Sequence, residues 1–282
     1  MGQTGALIRT ELARLFISRR WFAAALIWGV VAKSAADEIV GHAFNRGRLQ
    51  WTAYDVHAAL MNNTFLVGFL MLTTFVLIAC DSLARDRETR LAHVVLVRAG
   101  SRRQWWASKV VPMLLAAIVF QVGAFGASIA VGVYEGGTLS RAPSEFALGQ
   151  EGVGGDAAPQ LFFTPPAPGD DMLWREVGTS LYLVLGFAAV GMAALALTVR
   201  YPISWLPAMV VLGVTMLDRI LSWFIRAPWY SWVSPSLRML EGMHSPAVVD
   251  DPLPLWSSLL WWGLLLLGSA MAGSRMLERV DV

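Results

Sequence analysis

Apolar runs of membrane-crossing length alternate with short charged pieces along the chain. A bilayer core of about 30 Å takes about 20 residues of helix. Five runs reach or approach that length: Ala59–Cys80, Val110–Val133, Gly178–Val199, Ile203–Ile225 and Leu253–Gly273. A sixth, Trp21–Ala36, is shorter and contains Lys33. It reads as a span or as an interfacial or re-entrant segment. The span is the better reading, because without it the N-terminal arginines fall on the side that basic residues avoid. The expected fold is an all-α membrane protein of six transmembrane helices, with residues 1–282 as a single transmembrane domain.

Charge sets the orientation. Pieces 1–20, 81–109, 200–202 and 274–282 share one side of a six-span arrangement and hold fourteen basic and six acidic residues. The remainder, mostly the opposite loops, holds eight basic and fourteen acidic residues. Lys and Arg resist translocation, so the basic side is cytoplasmic. This predicts a multi-pass protein of the cell membrane with both termini in the cytoplasm. Composition agrees: only 15% of residues are charged, against roughly 25% in soluble domains. Arg9, Arg14, Arg19 and Arg20 precede the first apolar run, a head too long for an ordinary secretory signal, so the segment is expected to stay. Cys80 is the one cysteine and cannot form an intrachain disulfide.

The pieces between the runs carry their own patterns. In 4–18, Leu7, Ile8, Leu12, Leu15 and Phe16 recur at helical spacing, which suits a helix lying in the headgroup plane or a plain basic anchor. In the 81–109 loop, Leu91, Val94, Val95 and Arg98 fall at i, i+3, i+4 and i+7. That is one short helix with an apolar stripe, stable only when docked, or else a solvated connector. Gly100 can end it, Ser101 can N-cap the helix that follows, and Trp105 and Trp106 are expected at the interface. The 135–174 loop is rich in Gly and Pro and reads as mostly irregular. In Arg226–Asp251, Trp229, Tyr230, Trp232 and Pro235 suggest a chain lying at or dipping into the outer interface.

Catalytic and metal-binding patterns are missing. The chain has no Gly-x-x-x-x-Gly-Lys-Ser/Thr loop for nucleotide phosphates, no His-Glu-x-x-His, no Cys-x-x-Cys and no Gly-x-Ser-x-Gly. Its histidines, His42, His57, His93 and His244, are scattered over both sides. No catalytic residue, metal or cofactor is expected in this chain, and no nucleic-acid partner. Two charged pairs do enter the apolar runs: Lys33 with Asp37 one turn on, and Asp218 with Arg219. These are candidate pathway or gate residues, because charge inside a membrane is a functional hypothesis by default. Snorkelling to the outer interface is the structural alternative.

The stretch Asp86-Arg87-Glu88-Thr89-Arg90, then Val97-Arg98-Ala99-Gly100-Ser101-Arg102-Arg103, then Lys109 resembles the membrane subunits of ABC-2 exporters. In that family the second span ends in an acidic segment with a glutamate. A short helix, a Pro/Ser/Arg turn and a lysine before the third span follow. Glu88, Ser101 with Arg102, and Lys109 match these in turn. The family's Gly-Thr-Leu reads Thr89-Arg90-Leu91 here, and Gly100 stands for the turn proline. The 4–18 segment resembles the family's elbow helix, and Trp232-Val233-Ser234-Pro235-Ser236-Leu237-Arg238 resembles its Pro-containing outer segment.

The resemblance implies a permease that forms the substrate path and carries no ATPase site. A separate ABC ATP-binding subunit would hold ATP and Mg, and a second permease copy or a homologous partner would complete the path. Asp86–Arg98 would be the coupling helix, with Glu88, Leu91, Val94, Val95, Arg98 and Arg102 as the ATPase-coupling residues. The alternative from another class is a non-transporting scaffold that recruits an ATPase or an extracytoplasmic partner; a membrane enzyme is third.

Overall fold

The computed structural model describes residues 3–45, 49–63, 65–79, 83, 86, 101–148, 166–225, 228–244 and 251–279. Among these the regular structure is helical, apart from one bridge between Thr52 and Thr138. The long helices are α1 (Gln3–Phe16), α2 (Arg20–Asn45), α5 (Arg102–Tyr134), α7 (Met172–Arg200), α8 (Leu206–Phe224) and α11 (Leu255–Arg279). Shorter pieces connect them: α3 (Ala53–Met61), a π-helical turn (Leu66–Met71) running into α4 (Leu72–Ala79), α6 (Glu145–Leu148), α9 (Pro228–Val233) and α10 (Pro235–Arg238).

Among the described residues, three helices, α5, α7 and α11, are long and apolar enough to cross a membrane, and the number reaches five when each of two bent pairs counts as one span. The predicted spans differ from the helices mainly at their ends. The first, expected over 21–36, continues to Asn45, and α5 begins at Arg102 rather than 110. At 1.5 Å per residue, its 33 residues extend about 50 Å, well past a bilayer core. Along α5 and α11, Ile118, Val122, Leu264 and Leu267 are exposed apolar side chains. A helix that is apolar on both its packed and its open face is stable where the open face meets lipid.

The second predicted span, 59–80, is not one helix. α3 stops at Met61, and the chain bends by 71° before the π-helical turn and α4. The adjacent Asn62 and Asn63 account for the break. Asn63 Oδ1 accepts from the backbone N–H of Phe65 and Leu66 at 3.0 and 3.1 Å, capping the second half, while the Asn62 amide donates to Ala58 O at 3.0 Å. Short polar side chains that bond the local backbone compete with helix continuation.

α5 is the axis of the bundle, packed on α1, α2, α3 and α7, while α7 and α11 form the most extensive helix pair. Phe75, Phe120 and Phe187 meet in the centre, fully buried, with ring centroids 5.5–5.6 Å apart. From Phe120 the aromatic contact runs through Trp28 and Trp21 to Phe16 at the end of α1. Two glycines permit close approach. A Cβ at Gly191 would lie 2.7 Å from the Phe75 ring, and one at Gly132 would lie 2.7 Å from Ala53 Cα. Between helices in lipid, such small residues let backbones pack where no hydrophobic force drives them together.

Candidate functional site

A buried ionic cluster forms where α1, Asp86 and the start of α5 converge. Ser101 opens α5 as the pattern predicts: its backbone is extended and its Oγ accepts from Gln104 N–H at 3.2 Å. Two turns later Lys109 is 2% exposed. Its Nζ lies 2.5 Å from Asp86 Oδ2 and 2.9 Å from Glu11 Oε2. Arg14 adds a second cation, 3.3 Å from Glu11 and 3.4 Å from Asp86. The cluster holds two acids and two bases, and the acids and Lys109 are nearly withdrawn from solvent. A buried charge is tolerable only when paired and hydrogen-bonded in this way.

The cluster joins three separate parts of the chain. Asp86 and Lys109 flank the segment 87–100 on its two sides, and Glu11 and Arg14 belong to α1. α1 therefore docks on α5, where Glu11 meets Lys109, with Glu11 and Leu15 buried and Leu7 packed against the core. α1 meets α2 at a 53° bend, where Phe16 stacks on Trp21. Trp105 and Trp106, expected at the interface, are buried in the bundle, Trp106 close against Gly273. The expected coupling residues Glu88, Leu91, Val94, Val95 and Arg98 lie outside the described residues. Arg102 lies inside them, and its Nη1 donates to the carbonyls of Leu277 and Glu278 at 2.9 and 2.7 Å. A guanidinium there satisfies carbonyls left open at the end of α11.

The charged pairs in the apolar runs have different surroundings. Lys33 is paired with Asp37 and lies 3.3 Å from Glu135, the residue that ends α5, with about half of its side chain exposed. Asp218 is 7% exposed and accepts hydrogen bonds from Tyr230 Oη at 2.6 Å, Ser234 Oγ at 2.9 Å and Ser236 N–H at 3.0 Å. Burial and the facing carboxylate push the Tyr230 phenol well above its ordinary pKa, which keeps it a donor. Asp218 thus ties down the Pro-containing segment 228–238. Arg238 in that segment is buried too, bonded to Ser258 Oγ at 2.8 Å and to Trp232 O at 2.7 Å. Arg219 lines a cavity beside α2 and the break in the second span.

A second buried polar centre has no precursor in the sequence reading. His57 Nδ1 donates to Glu176 Oε2 at 2.8 Å, and its Nε2 lies 3.1 Å from Ser180 Oγ. His57 and Glu176 are fully buried, and the imidazole packs on the Phe125 ring. Near it, Asp55 accepts from Thr52 N–H at 2.6 Å and from Ser144 Oγ at 2.7 Å. Ser144 belongs to the loop expected to be irregular. The described residues of that loop, largely without regular structure, are nevertheless tied down: Phe146 is buried and its N–H donates to Gln50 O, while Met172 N–H donates to Arg141 O at 2.9 Å.

No curated protein matches the chain. Residues 21–148, less than half of its length, match the family model described as a protein of unknown function (DUF2705). The match includes Lys33, His57, Asp86 and Lys109, and leaves Glu11, Arg14 and Glu176 outside it.

Proposed function

We propose that the chain is the permease subunit of an ATP-driven exporter of the ABC-2 type. In this reading it has six spans, both ends are cytoplasmic, and it lies in the cell membrane. It works with a separate ATP-binding subunit and with a second permease copy or a homologous partner. The observation that carries the reading is the ionic cluster. Both flanks of segment 87–100, Asp86 and Lys109, are joined to each other and to α1. A docked ATPase that moves this segment would act on α1 and α5 together instead of being absorbed by a loose loop. α5 is long enough to carry that displacement through the membrane to its far end, beside Lys33 and α3. Alternating access then follows as a rigid-body shift between two packed arrangements, biased by ATP on the partner.

The division of labour rests on chemistry missing from the sequence. No phosphate-binding loop is present, so ATP and Mg belong to the partner subunit. The test is co-expression with the ABC-type ATP-binding subunit of a neighbouring reading frame and assay of coupled ATP hydrolysis. Glu88→Ala should uncouple hydrolysis from transport and leave membrane insertion intact. Transport at the wild-type rate would remove Glu88 from the coupling set.

A further inference from the structure

A cavity of about 780 Å³ lies between α2, the break in the second span and α8. Its volume is in the range of ligand sites, about 300–1,000 Å³. One part of its wall is polar: Ser34 and Glu38 from α2, Asn63 from the break and Arg219 from α8. The rest is apolar, with Met216, Ile220 and Phe224 on α8 facing Phe65. These four are 44%, 50%, 79% and 46% exposed. The cavity therefore opens sideways, onto a face made of apolar side chains that bilayer would cover.

The wall carries one group of each sign. Glu38 can take an ammonium, and Arg219 presents the planar fork that suits a phosphate. Asn63 and Ser34 supply neutral partners, although the Asn63 carbonyl is already used on the helix break. A purely anionic ligand would meet the Glu38 carboxylate, and a purely cationic one would meet Arg219. A ligand that carries both an ammonium and a phosphate on an apolar chain meets both charges and the apolar wall. We propose that this cavity is a binding site for a zwitterionic phospholipid of the phosphoethanolamine type, entered laterally from the bilayer. The site stands independently of the exporter reading, since it requires no ATPase.

The experiment is native mass spectrometry of the full chain, released from nanodiscs of equal parts palmitoyl-oleoyl phosphatidylethanolamine and phosphatidylglycerol. Wild type should retain the ethanolamine lipid at least about fivefold over the glycerol lipid. Arg219→Gln should lose retention of both, Arg219→Lys should keep much of it, and Glu38→Gln should shift the preference toward phosphatidylglycerol. Size-exclusion profiles identify any variant that misfolds, and Arg219→Lys together with Glu38→Gln then decides the result. Equal retention of the two lipids by wild type, or an unchanged preference in Glu38→Gln, would overturn the assignment.

Discussion

Lys109 and Asp86 are 23 residues apart in the chain and in direct contact, Nζ to Oδ2 at 2.5 Å, a buried ion pair between positions on either side of segment 87–100. Glu11 reaches the same ammonium at 2.9 Å. Removing this cation leaves two nearly buried carboxylates with only the half-exposed Arg14 as counter-charge.

Lys109→Met should therefore destabilise the fold by about 3–5 kcal/mol, the cost of breaking a buried pair by one partner. Lys109→Met combined with Glu11→Gln and Asp86→Asn should recover much of that loss, because the one charge left, Arg14, is about half exposed to solvent. Thermal unfolding in detergent measures both. Equal melting of Lys109→Met and wild type would show that the cluster is not a structural clamp.

Asp218→Ala removes the acceptor for Tyr230, Ser234 and Ser236. Hydrogen bonds to a charged group contribute about 1.5–3 kcal/mol each, so the outer segment should come loose before the bundle does. Limited proteolysis should cut between residues 226 and 251 at least about tenfold faster than in wild type. Asp218→Asn, which keeps an acceptor oxygen, should fall between the two.

Lys33 is half exposed and shares its charge with Asp37 and Glu135. Lys33→Leu should express at or above the wild-type level and keep its melting temperature and transport rate. Lys33→Leu with Asp37→Leu should behave the same. A transport loss in the single variant at equal surface expression would return Lys33 to the pathway.

The loop 135–174 is closed at its base by Arg141 and Met172, and its first part is pinned to α3 through Ser144 and Asp55. Replacing 149–165 by a short Gly-Ser linker should leave expression and thermal stability unchanged. Ser144→Ala, in contrast, removes a buried donor to Asp55 and should cost about 1–3 kcal/mol. Detergent melting of the two variants side by side separates the folded part of the loop from the rest.

Local signals were legible where one residue and its neighbours decide the structure. Ser101 caps α5 as its sequence context requires, and the long apolar runs became helices. The break in the second predicted span had a signal in Asn62-Asn63, but averaging hydropathy over 59–80 conceals two asparagines in a mostly apolar run. Glu11 could have been found as well, since an acid between Leu7 and Leu15 on one helical face needs a partner once that face is buried. His57 and Glu176 gave no such warning. They are 119 residues apart, and only packing of α3, α5 and α7 brings them together. The burial of Trp105 and Trp106 had no signal either: Trp belongs equally to interfaces and to packed helix contacts, and Gly273 provides the space that buries Trp106.

The most direct test of the permease reading is affinity purification of the chain from membranes co-expressing the ATP-binding subunit, with and without segment 87–100 replaced by a Gly-Ser linker. The exporter account predicts a stable complex with the intact chain whose ATP hydrolysis depends on the permease. It predicts loss of that complex with the replaced segment at equal membrane insertion. An ATP-binding subunit that stays bound and equally active after the replacement, or one that never associates with the intact chain, would contradict it.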